Sequence, residues 1–268
     1  MMNILRQSCF VFALGALVLH GAPAQAGRSC EERMIKADSA IKAMDLAQRT
    51  KNALEEANPR FAFIARVGQD LSKYQLRYSH AGLVWRDHPK GRWLVVHELN
   101  TCGTAQSDLY DEGLGNFFLD DMFAFETKIL IPGPELQNRL ENLFAKRKSY
   151  LMHWPDYNMV AYPFSTRYQN SNQWLLETYA AAHLDNVGSE PRKEAQAWLK
   201  QNGYQPSTLR ISTLTRLGGR MFRANVAFDD HPFDRRMAGQ IDSVTVDSMF
   251  GFFKQRDPAA QVVEIKLP

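Results

Sequence analysis

The chain lacks the features that mark several functional classes. It carries 32 Lys+Arg against 29 Asp+Glu, interspersed, with no basic stripe and no acidic tail. A nucleic-acid partner would need a concentrated positive face, so that class is excluded. His153, His183 and His231 are scattered, and no His-x3-His pair or compact carboxylate cluster occurs. A zinc site therefore has no support, and no metal or other cofactor is implied. No Gly-rich nucleotide fingerprint is present. Gly218-Gly219 separates two strand-like runs and reads as a hairpin turn. Asp120-Asp121 and Asp229-Asp230-His231 read as solvated turns. Internal repeats and low-complexity tracts are absent.

Long apolar runs are also scarce. Cys9–Leu19 is nearly all apolar, but it is shorter than the roughly 20 residues that span a bilayer. Arg6 precedes it and Ala24-Gln25-Ala26 follows as a small-x-small site. That order predicts a secretory signal peptide over residues 1–26, cleaved near Ala26. No cysteine follows the site directly, which argues against a lipid anchor. The expectation is a periplasmic or secreted protein with no stable membrane span after cleavage. Of three cysteines, Cys9 leaves with the leader, and Cys30 and Cys102 are expected to pair in an oxidising compartment.

Residues 27–268 are expected to form a single α+β domain, with an N-terminal helix over 30–57, a core over about 60–185 and a C-terminal extension over about 190–268. In the first helix Met34, Ala37, Ile41, Met44 and Ala47 recur at helical spacing, and Asn58-Pro59 stops it. Strands are predicted at Phe61–Val67, Tyr78–Trp85 and Arg92–Leu99, the last two joined by a hairpin loop at Asp87–Gly91. Residues 107–123 are mixed, with Gly113 and Gly115 breaking any long helix. A strand follows at Phe125–Ile131, and Pro134 suits the first turn of a helix running to about Lys146. Asn170–Leu184 reads as a helix capped by Asn170 or Ser171. A helix at Pro191–Asn202, strands at Arg210–Leu214 and Arg220–Phe228, a helix at Ser243–Phe253 and a strand at Val262–Leu267 complete the chain.

Three segments carry candidate chemistry: Tyr78-Ser79-His80-Ala81-Gly82-Leu83, Trp93-Leu94-Val95-Val96-His97-Glu98, and Tyr168-Gln169-Asn170-Ser171-Asn172-Gln173. Neighbouring strands bring cross-strand side chains about 5 Å apart, so His97 or Glu98 can orient His80. A nucleophile at a helix start gains the positive end of the dipole and backbone N–H groups for an oxyanion. Nucleophile, base and orienting group together make a triad.

These segments resemble the circularly permuted branch of the papain-like superfamily, whose relatives include NlpC-type cell-wall hydrolases and lecithin-retinol-acyltransferase-like proteins. There an S-H-x-G strand comes first, a polar residue follows on the next strand, and an N-C pair opens a later helix. Ser79-His80-Ala81-Gly82 matches the first motif. His97, or else Glu98, matches the second. Asn170-Ser171 matches the third, with serine in place of cysteine. A register one residue later would put Asn172, which cannot attack, at that place. The whole mature sequence also resembles a bacterial family known as domain of unknown function 2145, a name that carries no activity.

The resemblance implies an antiparallel sheet packed against helices, with Ser171 as nucleophile, His80 as base and His97 as orienter. Asn170, Asn172, Gln173 and Tyr78 would line the substrate cleft. The implied substrates are a peptidoglycan peptide or an acyl group. Serine cannot be ionised by a helix dipole worth about 0.3–1 kcal/mol, so Ser171 would need His80 as a true base. The alternative is an inactive envelope binding or assembly protein on the same fold.

Overall fold

The computed structural model describes residues 34–120, 122–146 and 148–268. The predicted leader, Cys30 and Asp121 lie outside them. In chain order the elements are α1 (Ala37–Ala57), β1 (Phe61–Val67), β2 (His80–His88), β3 (Gly91–Asn100), β4 (Ser107–Gly113), α2 (Leu114–Leu119), β5 (Ala124–Ile131), α3 (Pro134–Ala145) and α4 (Ser171–Ala182). After these come α5 (Pro191–Gln201), β6 (Ser207–Arg210), α6 (Thr213–Phe222), α7 (Phe233–Met237), β7 (Gln240–Ser243), α8 (Val246–Arg256) and β8 (Gln261–Lys266). The fold is α+β. Among the described residues no helix is long and apolar enough to cross a membrane.

Six strands form one antiparallel sheet in the order β4-β3-β2-β1-β5-β8. The central strand β1 is buried along its whole length, and its alternate side chains feed two cores. Phe61, Phe63, Ala65 and Val67 point to the larger one, which they share with Ala81, Leu83 and Val96 and with residues of α3, α4, α5 and α8. Ala62 and Ile64 point the other way, to join Val84, Trp93 and Val95 beneath α1 and α2. The C-terminal segment belongs to this plan: β8 pairs with β5, and α5 and α8 fill the larger core.

Most local signals act as the sequence suggests. Asn58 ends α1 in the left-handed region at φ 47°, Pro134 opens α3, and the Asn170 side chain caps α4 by accepting the Gln173 N–H at 2.8 Å. Several expectations change. The buried face of α1 is set by its two leucines, Leu46 and Leu54, with Ala43, Ala47 and Thr50 between them. Ile41 therefore lies 68% exposed. Residues 107–123 hold an edge strand and a short helix. Gly218-Gly219 is not a hairpin turn, because neither glycine adopts the positive φ that such a turn requires. Instead the Ser212 side chain accepts the Thr215 N–H and starts α6. The Arg220–Phe228 strand is not formed, and β6 pairs with β7. Asp229-Asp230-His231 is no open turn either, since His231 is buried with Asp230 at 3.0 Å.

Asn170→Ala is expected to lower stability by about 1–2 kcal/mol in urea denaturation with an unchanged slope, because the Gln173 N–H is left with the Asn170 carbonyl alone and the buried bond from Asn170 Nδ2 to Ser243 Oγ is lost.

Candidate functional site

The β2–β3 ladder runs from the hairpin only as far as Leu83 opposite Val96. In that register His97 stands across from Gly82, and His80 is its diagonal neighbour. A Cβ at Gly82 would lie 2.6 Å from a Val95 methyl and 3.1 Å from His97 Cβ. The missing side chain is what lets β3 lean over β2 at this level. The two imidazoles meet there, His80 Nε2 and His97 Nδ1 being 2.8 Å apart. His97 Nε2 is in turn 3.2 Å from Glu112 Oε2 on β4.

Proton positions follow from chemistry. His97 is fully buried, and that burial holds its pKa below the ordinary imidazole value. The hydrogen bond from His97 holds Glu112 below the usual carboxylate range. A neutral His97 then donates through Nε2 to the carboxylate and accepts at Nδ1, so His80 donates through Nε2. Around this relay, Arg66 stands opposite His80 on β1. It donates to the Phe117 carbonyl and to Asp120, which makes Asp120 an ion-pair partner rather than a solvated turn residue. The Phe117 ring covers the cluster, 5.4 Å from the His97 ring and 4.7 Å from the Arg66 guanidinium. The ring nitrogens join in series rather than converging on one point. Among the described residues no three His, Cys, Asp or Glu side chains form a metal set.

Ser171 lies elsewhere. Alternation sends His80 and His97 to the α1–α2 side, where Phe117 packs. Helix α4 packs on the other side, against Ala81, Leu83 and Val96. The buried Ser171 hydroxyl is 3.5 Å from the Tyr157 hydroxyl. The structure thus brings His80 and His97 together, while Ser171 opens α4, whose apolar side chains pack on the other face. The other predicted site residues hold structure. Asn172 Oδ1 accepts the Ala81 N–H at 3.1 Å, beyond the last rung of the ladder, and Asn172 Nδ2 donates to Ser79 O. Asn170 Nδ2 donates to Ser243 Oγ. Gln173 Nε2 donates to Glu177. Tyr78 is 3% exposed in the larger core, where burial raises its phenol pKa.

The polar groups missed from the sequence lie on this second face. Glu177, wholly buried in α4, accepts from Arg192 Nε at 2.7 Å, Gln169 at 2.6 Å, Gln196 at 2.7 Å and Gln173 at 3.1 Å. Arg192 also donates to the Thr166 and Tyr168 carbonyls. The network ties α4 to α5 and to the loop that carries Tyr157. A charge inside the apolar run Leu175-Leu176-Glu177-Thr178-Tyr179 was the readable signal. Glu98 is the second such group. Both its carboxyl oxygens are buried and make no hydrogen bond of normal geometry among the described residues, Ser107 interacting with them only weakly. Burial, with Glu177 adding and Ser107 and Arg192 opposing, pushes its pKa up to about 8.

Glu98 is therefore a neutral acid in the native state at neutral pH, whereas the unfolded chain ionises it near 4.5. Folding takes up a proton between those values, so stability falls as pH rises from 4.5 to about 8. Chemical denaturation of Glu98→Gln against pH is expected to show that loss removed, with the variant gaining on the parent as pH climbs. A parallel fall in both proteins would refute the assignment.

A family model described as an uncharacterized protein conserved in bacteria (DUF2145) matches residues 53–253. No curated protein and no solved structure matches the chain. The matched stretch is well over half of the chain and holds both polar faces of the sheet, from Arg66 to Arg192. The chain belongs to this bacterial family, DUF2145.

Proposed function

We propose that this is an exported cell-envelope protein on a permuted papain-like fold that binds or assembles rather than hydrolyses. One observation carries the reading: the His80 ring packs by Phe117 on the α1–α2 side and meets His97, whereas Ser171 opens α4, the helix packed on the other face. A serine needs a base within hydrogen-bond reach, about 2.6–3.2 Å. The near neighbour of Ser171 is instead a tyrosine hydroxyl, which ordinarily ionises near pH 10. Helix α4 then serves as a support, with Ser171 in its first turn and Asn172 joining it to β2. The ligand-facing group is the half-buried His80, presented by a chain of hydrogen bonds through His97 to Glu112. A peptidoglycan peptide or an acyl group fits the resemblance.

A second reading draws on the same chain. An imidazole oriented by a second imidazole and a carboxylate is the base of a triad, and a hydrolase would use it. The two readings part on Ser171. Export and the Cys30–Cys102 bridge belong to the proposal as well; the bonded state of Cys102 supports the bridge, and the apolar leader supports export.

The test is labelling of the exported protein with a fluorophosphonate probe, alongside retention on purified peptidoglycan sacculi. Binding without hydrolysis predicts no labelling above a heat-denatured control. It also predicts retention that survives Ser171→Ala and drops roughly tenfold in His80→Ala, the loss of one or two hydrogen bonds. Labelling that vanishes in Ser171→Ala would establish the hydrolase instead.

A further inference from the structure

From Ala195 to Phe228 the chain has no Asp or Glu, while Lys200, Arg210, Arg216, Arg220 and Arg223 fall within it. Helix α6 lies in this run. One side of it turns inward, where the buried Arg216 donates to the Ile211 carbonyl at 2.7 Å. The other side is apolar and open, with Leu214 82% and Leu217 56% exposed. The Ile211 N–H donates to the Gly239 carbonyl, so α6 leaves the β6–β7 ladder at the end where α7 arrives. There α7 adds Phe233 at 68% and Met237 at 60% exposure. Four large apolar side chains thus stand outward on two adjoining short helices.

Arginines flank them along the chain. Arg210 and Arg223 are exposed, and among the described residues neither meets a carboxylate. The Arg236 guanidinium lies 5.6 Å from the Phe233 ring centre. Of the nearby acids, Asp229 pairs with Arg167, Asp230 with His231 and Asp242 with Arg235. Asp234 is left as the exposed carboxylate. Apolar side chains rimmed by arginine are the pattern of a surface that lies in a headgroup region, apolar groups down and cations against anionic phosphates.

We propose that the face formed by α6 and α7 docks on an anionic lipid bilayer. The contact is peripheral: apolar side chains enter the interface, and nothing spans. It places the β6–β7 end of the molecule against a membrane and leaves the His80 relay, on the main sheet, to other contacts.

Flotation of the full chain with vesicles of phosphatidylglycerol and phosphatidylethanolamine tests this against vesicles of phosphatidylcholine. The expected result is binding to the anionic vesicles, at least tenfold weaker on the zwitterionic ones and weakened by salt. Arg210→Gln with Arg223→Gln is expected to lower it roughly 30-fold, about fivefold for each cation. Leu214→Ser with Leu217→Ser is expected to abolish it with an unchanged circular dichroism spectrum. Equal binding to both vesicle types would overturn the proposal. So would binding undiminished in the leucine variant, which would belong to the N-terminal apolar run. A dimer in sedimentation that the leucine variant dissociates would assign the face to a second copy and overturn it too.

Discussion

A β-strand has two sides and a period of two, and this constraint decides which way the two candidate histidines point. Leu83 and Val96 face the larger core with α4. Once they do, Gly82 and His80 on one strand and Val95 and His97 on the next must face the other way. A slip of one residue would reverse all of them at once. The magnitudes show which demand wins. Burying a leucine or valine side chain is worth about 1.5–3 kcal/mol, and several such groups fix this register. A single hydrogen bond between His80 and Ser171 would return only about 0.5–1.5 kcal/mol. Packing sets the faces, and the imidazole finds its partner in His97 instead.

The second face is organised by a buried charge. Glu177 sits inside the protein with Arg192, and removing two ions from water carries a penalty of several kcal/mol per ion. Here the carboxylate is met by one guanidinium and three glutamine amides, and Arg192 has carbonyls for its remaining donors. Breaking such a network from one side leaves a bare buried charge. Its structural consequence is positional: it holds α4, α5 and the loop from Trp154 to Gln169 as one unit. Glu98 lies close by without such partners, and it stays neutral for that reason.

Much of this was legible in the sequence because it is local. The strand at Phe61–Val67, the Pro134 start, the Asn170 cap and the two histidine strands each depend on a few adjacent residues. Other features depend on partners far along the chain. The edge strand at Ser107–Gly113 reads Ser-Asp-Leu-Tyr-Asp-Glu-Gly, too polar to announce a strand, since Leu109 alone of its side chains packs on the larger core. The buried side of α1 was misplaced because apolar residues occur on two of its sides, and the sheet takes the one bearing the leucines. The motif residues themselves were found: His80 and His97 do meet. Which face they meet on depends on the register of two strands and on the seat of a helix many residues later, and residue spacing carries neither.

The claim that His80 serves His97 and not Ser171 is best tested by placing a thiol at the serine position and measuring its ionisation. In Ser171→Cys the rate of alkylation by iodoacetamide against pH, with the parent protein as background, gives the thiol midpoint. The structure predicts a midpoint that stays put when His80→Ala is added, because no imidazole faces the sulfur. A midpoint well below 7 that rises by a unit or more in the double variant would reveal a thiolate–imidazolium pair and would contradict the account.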